Sequence, residues 1–478
     1  MIRGPGKTGP NVGREKPPKP PLETSSTREQ GFTEDLIEDI EDLQQARQSP
    51  EARTQPLSIW KRLGPGLITG SADDDPSGIG TYSVAGAQFG YGLLWLTPVC
   101  VPLMIAVQEM CGRIGAITGK GLAGVLKDHY ARWILFGAVL LLVVANTINI
   151  WADLNVMAAS TQMLFGVSFP FWLTVVTFAT LALVIFIPYR VYVHYLKWLC
   201  LSLLAYAVTA LLPTVHNDWS QIARSLFIPH WSSDTAFVMT VVGFLGTTIS
   251  PYCFFWQASE TVEEEIAGGV EDEPGQRFQA VSDSEIRTVR ADTAVGMLFS
   301  QAITFFIVIC TADTLHARGL TSIETAQDAA KALLPLGKSA YWLFTLGILG
   351  TGLLAVPTLA GSAAYAIAEI TGWRYGLYRR FRRARGFYLT LAAVVLLGYG
   401  LNFVQSISPV KGLLYAAVIN GVAAPPLIVL ILRICNNPKV VQNRRNSLLS
   451  NVFGWLTVAL MSAAALILAY ALMTGKLG

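Results

Sequence analysis

The feature that most constrains the fold is a series of long, almost uninterrupted apolar stretches that begins at residue 59. A helix needs about 20 apolar residues to cross the roughly 30 Å hydrocarbon core of a bilayer. Only helices and closed barrels satisfy their backbone hydrogen bonds in lipid, and stretches this long favour helices. The sequence therefore predicts an all-α membrane protein with 11 transmembrane helices. They are predicted at 59–84, 92–112, 132–155, 171–189, 194–213, 236–258, 292–311, 339–369, 387–404, 411–433 and 449–474.

Composition excludes the main alternatives. Apolar residues make up 52% of the chain and charged residues only 14%, whereas about 25% of the residues of a soluble protein are charged. A soluble domain with so little charge would expose large apolar patches. Intrinsic disorder needs low hydrophobicity and high charge, so it is excluded for most of the chain. The net charge of +3 is too small to indicate a nucleic-acid partner, and the predicted surroundings are a lipid bilayer.

The first 56 residues differ from the rest. They are rich in Pro, Lys and Glu and contain no long apolar run, which predicts a disordered tail. They also lack the charged start, apolar run and cleavage site of a signal peptide. We therefore expect a tail at 1–56 and one transmembrane transporter domain at 57–478.

Basic residues predict the orientation in the membrane. They concentrate in every second loop between apolar stretches, most clearly between residues 374 and 385, where six arginines occur. Loops rich in Lys and Arg stay in the cytoplasm. This rule places the N-terminus inside and the C-terminus outside, in the plasma (inner) membrane. The loop between the sixth and seventh stretches is acidic, but acidic residues contribute little to the rule.

The first apolar stretch is interrupted near its middle. Three consecutive carboxylates, Asp73, Asp74 and Asp75, are followed by Pro76 and then Gly78. Carboxylates within the membrane cost a few kcal/mol each and usually mark a functional site. Pro76 removes a helical hydrogen bond and frees a backbone carbonyl. The residues alone leave open that the carboxylates lie in a wet interfacial loop, and Asp73 and Asp74 are interpreted as attracting cations to a vestibule.

The sixth stretch is interrupted in a similar way. It reads Thr247, Thr248, Ile249, Ser250, Pro251 and then Tyr252, with the proline again at mid-span. Broken first helices in both halves of a chain are the pattern of inverted-repeat transporters, whose binding site lies at the breaks. The predicted repeats are about 57–215 and 234–434, and the extra helix is about 449–474. Carboxylates, hydroxyls and freed carbonyls form an all-oxygen ligand set that suits a hard cation such as Mg²⁺, Ca²⁺ or Mn²⁺.

Several motifs then resemble a known family. The sequence D-P-S-G at 75–78, with A-G-A-Q-F-G-Y at 85–91 and L-L-W at 93–95, resembles the first-helix signature of Nramp divalent-metal transporters. Gln108, G-R-I-G at 112–115, T-G at 118–119 and G-F-L-G at 243–246 also match. The resemblance covers roughly 58–475. It implies a LeuT-type inverted-repeat fold and transport by alternating access.

The chain departs from the family at the metal site itself. Gly78 replaces the Asn of Asp-Pro-Gly-Asn, and Ser250 and Tyr252 replace the Met and His of Met-Pro-His. Thr247 stands where the family has an alanine whose carbonyl faces the metal, and a second His becomes Gln257. The predicted site for the transported cation consists of Asp75, Gly78, Thr247, Thr248, Ser250, Tyr252 and Asn420, the last lying near the position of a family Gln.

These departures predict which ion is carried. Loss of the Met thioether removes the soft ligand that favours Mn²⁺, Fe²⁺ and Cd²⁺ over Mg²⁺. Loss of both His residues removes the side chains that titrate near neutral pH. The changes are similar to those of the Nramp-related magnesium transporters, and that resemblance implies transport of Mg²⁺ and Mn²⁺ without proton coupling. Neither a cofactor nor an enzymatic activity is predicted, since the chain has no nucleotide-binding loop and no H-E-x-x-H motif.

Three alternatives stay open at this point. An ordinary proton-coupled Mn²⁺/Fe²⁺ importer would need a titratable carrier, for which Asp153 is the evident residue. A membrane metal sensor would bind the ion without moving it. An organic-solute carrier would want an apolar pocket, which the acidic cluster does not resemble. The sequence leaves the oligomeric state open.

Overall fold

A computed structural model of the chain describes residues 69–70, 72–187, 201–215, 217–267, 274–275, 281–404 and 408–473. The predicted tail lies outside these residues, so the domain division stays a prediction. The described part is helical, with no strand. Its helices with described bounds are α1 (Pro76–Phe89), α2 (Leu96–Thr118), α3 (Leu122–His129), α4 (Arg132–Phe165), α5 (Phe169–Phe186), α6 (Leu204–Ala210), α7 (Trp219–Phe227), α8 (Thr235–Thr248), α9 (Pro251–Ala267), α10 (Asp283–Thr314), α11 (Ala326–Ala330), α12 (Ala340–Thr371), α13 (Arg385–Leu401), α14 (Pro409–Asn436), α15 (Pro438–Val441) and α16 (Leu448–Met473).

The predicted apolar stretches contain helix wherever the structure describes them. Within the described residues, eight helical segments are long and apolar enough to cross a membrane. Two further apolar helical segments, Leu201–Ala210 and Arg385–Leu401, are shorter than 18 residues. The all-helical membrane architecture is thereby confirmed, while the number of 11 spans stays a prediction.

Burial identifies the centre of the molecule. In the segment formed by α8 and α9, 94% of the most apolar window is buried inside the protein, whereas in α16 the share is 28%. The interrupted helix is therefore central and the last helix peripheral. Around the centre, α8 packs against α14, α4 packs against α12, and α10 packs against α1.

Two glycines let the interrupted helices approach their neighbours closely. A Cβ added to Gly246 in α8 would lie 2.1 Å from the carbonyl oxygen of Ala417 in α14. A Cβ added to Gly70, just before the first interruption, would lie 2.3 Å from the carbonyl oxygen of Gly296 in α10. Distances this short exclude any side chain, so backbone packs on backbone at both places. The contacts fix the two interruptions in the helix bundle.

Both predicted interruptions are confirmed. Residues 72–73 are helical, the chain then leaves the helix, and α1 starts at Pro76 with Asp75 as its N-cap. The second interruption lies at Ile249, whose φ of −118° and ψ of 64° are not helical, and α9 starts at Pro251. A proline has no N–H, so the carbonyl four residues earlier loses its helical donor. The two carbonyls freed in this way belong to Ala72 and Thr247.

Candidate functional site

Asp75 lies at the N-terminus of α1 and is 1% exposed. Its Oδ1 accepts hydrogen bonds from the backbone N–H of Gly78 at 2.7 Å and from the Ser77 hydroxyl at 2.6 Å. This is the geometry of a helix N-cap, where a carboxylate satisfies free N–H groups and faces the positive end of the helix dipole. The local sequence therefore fixes one oxygen of Asp75 before any other helix takes part.

The other oxygen of Asp75 is held by residues from distant parts of the chain. Asn149 in α4 donates its Nδ2–H to Asp75 Oδ2 at 2.9 Å. Asn420 in α14 donates in turn to Asn149 Oδ1 at 3.4 Å. Asn420, predicted as a site residue, thus reaches Asp75 only through Asn149. The geometry gives Asn149, which is not among the predicted site residues, a direct contact with the carboxylate.

Tyr252 connects the two interrupted helices. Its hydroxyl donates to the freed carbonyl oxygen of Ala72 at 2.9 Å and lies 3.4 Å from Asp75 Oδ2. Tyr252 belongs to the predicted site. Its hydroxyl in fact covers two of the oxygens that a cation at Asp75 would use.

The hydroxyls of the second interruption have different roles. Thr247 Oγ1 lies 3.1 Å from Ser77 Oγ, which links α8 to the start of α1. Ser250 points back into its own helix end and donates to the carbonyl oxygens of Gly246 at 2.9 Å and Thr247 at 2.7 Å. Thr248 Oγ1 lies 2.9 Å from the Tyr82 hydroxyl. Among these predicted site residues, only Thr247 faces the Asp75 end of α1 with its hydroxyl.

Gly78 also differs from its predicted role. It contributes its backbone N–H to Asp75, and its carbonyl lies inside the first turns of α1, so it offers no free oxygen to a cation. A Cβ at this position would lie 3.4 Å from Thr247 Oγ1 and 3.2 Å from the ring of Tyr82. A side chain here would therefore crowd the Tyr82 ring of its own helix and meet α8 at an ordinary contact distance.

Three groups at the site are not named by residue in the sequence prediction, although a backbone carbonyl freed by Pro76 is expected there. They are the Ala72 carbonyl, the Ser77 hydroxyl and the Asn149 amide. A signal existed for the first two: counting four residues back from Pro76 gives Ala72, and Ser77 follows the N-cap directly. Asn149 had no local signal, since its role depends on which face α4 turns toward α1.

Asp73 and Asp74 form a second acidic group beside Asp75. They are 0% and 1% exposed. Ser300 in α10 donates to Asp74 Oδ1 at 3.1 Å and lies 3.3 Å from Asp73 Oδ2, and the Cys253 thiol lies 3.5 Å from Asp73 Oδ1. The vestibule interpretation of these two residues is wrong, because both are buried against α9 and α10.

Asp153 lies in α4 and is completely buried. Its carboxylate oxygens accept no hydrogen bond of normal geometry from the described residues, and the backbone N–H of Ser77 interacts with the carboxylate. It is close enough to Asp75 for the two charges to interact. It is therefore a fourth buried carboxylate near the first interruption, and it comes from a different helix.

Among the described residues, neither sulfur nor imidazole lies within hydrogen-bonding distance of Asp75. The Cys253 sulfur faces Asp73 instead, and the groups within hydrogen-bonding distance of Asp75 are a hydroxyl, an amide, a phenol and a backbone N–H. Across the described ranges, no group of three or more His, Cys, Asp and Glu is arranged to hold a metal ion. One carboxylate with neutral oxygens suits a hard cation that keeps part of its water.

The comparison with known families matches this architecture. The model of the Nramp family, described as natural resistance-associated macrophage protein-like, matches residues 66–471. The chain belongs to the Nramp family. This Nramp protein is 25% identical over 405 residues to the divalent metal cation transporter MntH of Klebsiella pneumoniae (strain 342), covering 84% of this chain and 91% of that one. It is 26% identical over 420 residues to MntH 1 of Pseudomonas aeruginosa, covering 85% and 91%.

Solved structures confirm the fold. A crystal structure of the Eremococcus coleocola manganese transporter, in complex with an aromatic bis-isothiourea compound, superposes with a TM-score of 0.67 at 19% identity and covers 88% of both chains. The closed conformation of Mhp1, a nucleobase-cation-symport-1 family transporter, gives a TM-score of 0.51 at 12% identity, covering 86% of this chain and 93% of that one. The predicted LeuT-type fold is confirmed.

Proposed function

We propose that this Nramp protein is a membrane transporter of divalent metal ions, chiefly Mg²⁺ and Mn²⁺, that works by alternating access without proton coupling. The observation that carries the proposal is the buried Asp75 carboxylate between two interrupted helices. Such breaks are where transporters of this architecture bind their substrates. The names of the relatives, divalent metal cation transporters and a manganese transporter, support the same substrate class.

The ligand set supports Mg²⁺ and Mn²⁺ over softer ions. In the described part of the chain, neither sulfur nor imidazole lies within hydrogen-bonding distance of Asp75, and the neighbouring groups include the Ala72 carbonyl and the hydroxyls of Ser77 and Thr247. Mg²⁺ gives up its water reluctantly and is usually bound through one or two carboxylates with several waters retained. We infer that the ion meets Asp75 directly and the hydroxyls through its own water.

A cation that binds at Asp75 competes with the hydrogen bonds of the Tyr252 hydroxyl. Its phenol covers the Ala72 carbonyl and lies beside Asp75 Oδ2 at 3.4 Å, a longer contact than those of the other donors to this carboxylate. An arriving cation displaces this contact first. Thr248, Ser250, Gly78 and Asn420 then act as supports that hold the two breaks in place.

The absence of proton coupling rests on the same replacements. Tyr252 and Gln257 stand at the positions where the family resemblance places His residues, and neither side chain titrates as His does near neutral pH. One observation favours the second candidate function, an ordinary proton-coupled Mn²⁺/Fe²⁺ importer. Asp153 is a buried carboxylate that accepts no hydrogen bond of normal geometry from the described residues and lies within charge-interaction range of Asp75.

Uptake into reconstituted vesicles tests the proposal. Mg²⁺ and Mn²⁺ uptake is measured with each ion competing against the other, with and without a pH gradient, while a dye reports the internal pH. We expect saturable uptake of both ions, unchanged by the gradient and without acidification. Metal uptake accompanied by acidification, with Mg²⁺ excluded, supports the proton-coupled importer instead. Saturable binding without flux supports a sensor.

A further inference from the structure

A basic pocket of about 330 Å³ lies apart from the interrupted helices. Four of its lining residues are cations: Lys120, Lys127, Arg374 and Arg379. The aromatic ring of Trp373 lines it as well. The pocket joins the loop after α2, helix α3, Pro274 between α9 and α10, and the end of α12 with the segment after it, so four separate parts of the chain line it.

The ends of two membrane-spanning segments place this pocket near the bilayer surface. The span of α2 ends at Thr118, two residues before Lys120, and the span that includes α12 ends at Thr371, two residues before Trp373. Trp373 is 47% exposed, and Trp residues are enriched where a membrane meets water. The pocket therefore lies at the depth of lipid headgroups, on the side that the basic loops predict to be cytoplasmic.

The acidic residues of the pocket are already satisfied within the fold. Asp128 forms an ion pair with Lys120 at 2.7 Å. Both oxygens of Glu369 are held at the start of α3, by the N–H groups of Gly121 at 2.7 Å and Gly124 at 2.8 Å. Asp128 and Glu369 therefore offset part of the positive charge of the four cations, Asp128 that of Lys120 in particular, and the lining keeps two more cations than acids.

Two of the cations keep donors for an incoming ligand. Lys127 is exposed, and its Nζ donates to the backbone carbonyl of Glu369 at 3.0 Å, which leaves two of its three N–H groups. Arg374 is exposed and forms no ion pair within the part of the chain that the structure describes. Its planar fork of N–H groups fits the paired oxygens of a phosphate.

We propose that this pocket binds the phosphate of an anionic phospholipid headgroup through Lys127 and Arg374. Phosphate oxygen is the shared chemistry of lipid headgroups and free phosphate. The position at the ends of two spans and the exposed ring of Trp373 favour the lipid. Basic pockets between helices on the cytoplasmic side are typical of anionic lipid binding. This site is independent of the proposed transport function.

Thermal unfolding of the full chain in detergent tests the proposal. We add phosphatidylglycerol, phosphatidylcholine or inorganic phosphate, and count bound lipids by native mass spectrometry. Phosphatidylglycerol is expected to raise the Tm by about 3 °C more than phosphatidylcholine does. The double variant Lys127→Gln/Arg374→Gln is expected to lose this difference and the bound phosphatidylglycerol. The matched control Arg318→Gln changes an exposed arginine just after α10 and should behave as the unchanged protein.

The other possible outcomes of this experiment also support or overturn lipid binding at the pocket. A double variant that unfolds as the unchanged protein does in phosphatidylcholine, yet has lost the phosphatidylglycerol effect, supports the pocket and excludes a folding defect. Stabilisation by inorganic phosphate alone, lost in the double variant, assigns the pocket to soluble phosphate and overturns the lipid. Equal stabilisation by the two lipids, or a double variant that still binds phosphatidylglycerol, overturns the proposal altogether.

Discussion

The two interrupted helices are both broken by a proline, but the surroundings of the two breaks differ. In each, a proline begins the second half, Pro76 in α1 and Pro251 in α9, and frees the carbonyl four residues earlier. The freed carbonyls are those of Ala72 and Thr247. What distinguishes the two breaks is the group that satisfies each carbonyl and the charge that lies beside it.

The freed carbonyl of the first break accepts a hydrogen bond from the partner helix, whereas the freed carbonyl of the second break accepts one from a residue of the same break. The Ala72 carbonyl accepts from Tyr252, which belongs to α9, whereas the Thr247 carbonyl accepts from Ser250 in the same break. Separating the helices therefore exposes the oxygen of the first break but leaves that of the second covered. The comparison indicates that the first break binds the ion and that the second positions it.

The distribution of charge supports the same division of roles between the two breaks. The first break carries Asp73, Asp74 and Asp75, all buried, while the second carries hydroxyls only. Buried carboxylates within a membrane cost a few kcal/mol each, so a bound dication offsets a large penalty at the first break and none at the second. Substitutions at the two breaks should therefore have effects on ion uptake that differ in size and in kind.

The largest effect is expected for Asp75→Asn. The amide keeps the shape of the side chain but removes the charge that attracts the dication, so Mg²⁺ and Mn²⁺ uptake should fall at least about 100-fold, equivalent to about 2.7 kcal/mol. The control is Asp234→Asn, an exposed acid before α8 whose side chain makes no cap hydrogen bond. Vesicle uptake is measured with equal amounts of inserted protein. Normal uptake by the Asp75 variant would move the ion site away from the first break.

Ser250→Met should change selectivity more than rate. The thioether adds a soft ligand beside the second break, so competition by Cd²⁺ against Mn²⁺ should strengthen by about tenfold. Ser250→Ala is the matched control, because it removes the same hydroxyl without adding sulfur. If both variants discriminate between the two ions as the unchanged protein does, the second break takes no part in ion choice.

How far the sequence predicts this site depends on how local each contact is. The breaks follow from proline, whose missing N–H acts on its own helix, and the contact of Asp75 with Gly78 follows from N-cap geometry. The three asparagines of α4 show the limit. Asn146 bonds to α12, Asn149 to Asp75 and Asn155 to Asn402. Their sequence positions do not distinguish these partners, because the rotation and depth of α4 in the bundle decide which neighbour each one meets.

A smaller effect, in the opposite direction, is expected for Tyr252→Phe. Removing the phenol hydroxyl frees the Ala72 carbonyl and Asp75 Oδ2 for the ion, so the half-saturating Mg²⁺ concentration should fall by about fivefold, the equivalent of one hydrogen bond of about 1 kcal/mol. Tyr82→Phe is the control, since it removes a hydroxyl that contacts Thr248 and not Asp75. A raised half-saturating concentration would instead make the Tyr252 hydroxyl a ligand for the hydrated ion.

The smallest effect is expected for Thr247→Val, which tests whether the second break positions the ion. Its hydroxyl lies 3.1 Å from Ser77 Oγ and is the hydroxyl of the second break that faces the Asp75 end of α1. Loss of this neutral group should raise the half-saturating Mg²⁺ concentration by about threefold, in line with about 0.7 kcal/mol for one hydrogen bond. Thr240→Val in the same helix is the control, because that hydroxyl bonds to Ala236 within its own helix. An effect as large as that of Asp75→Asn would make the two breaks equal partners in binding, and the division between a binding break and a positioning break would then be wrong.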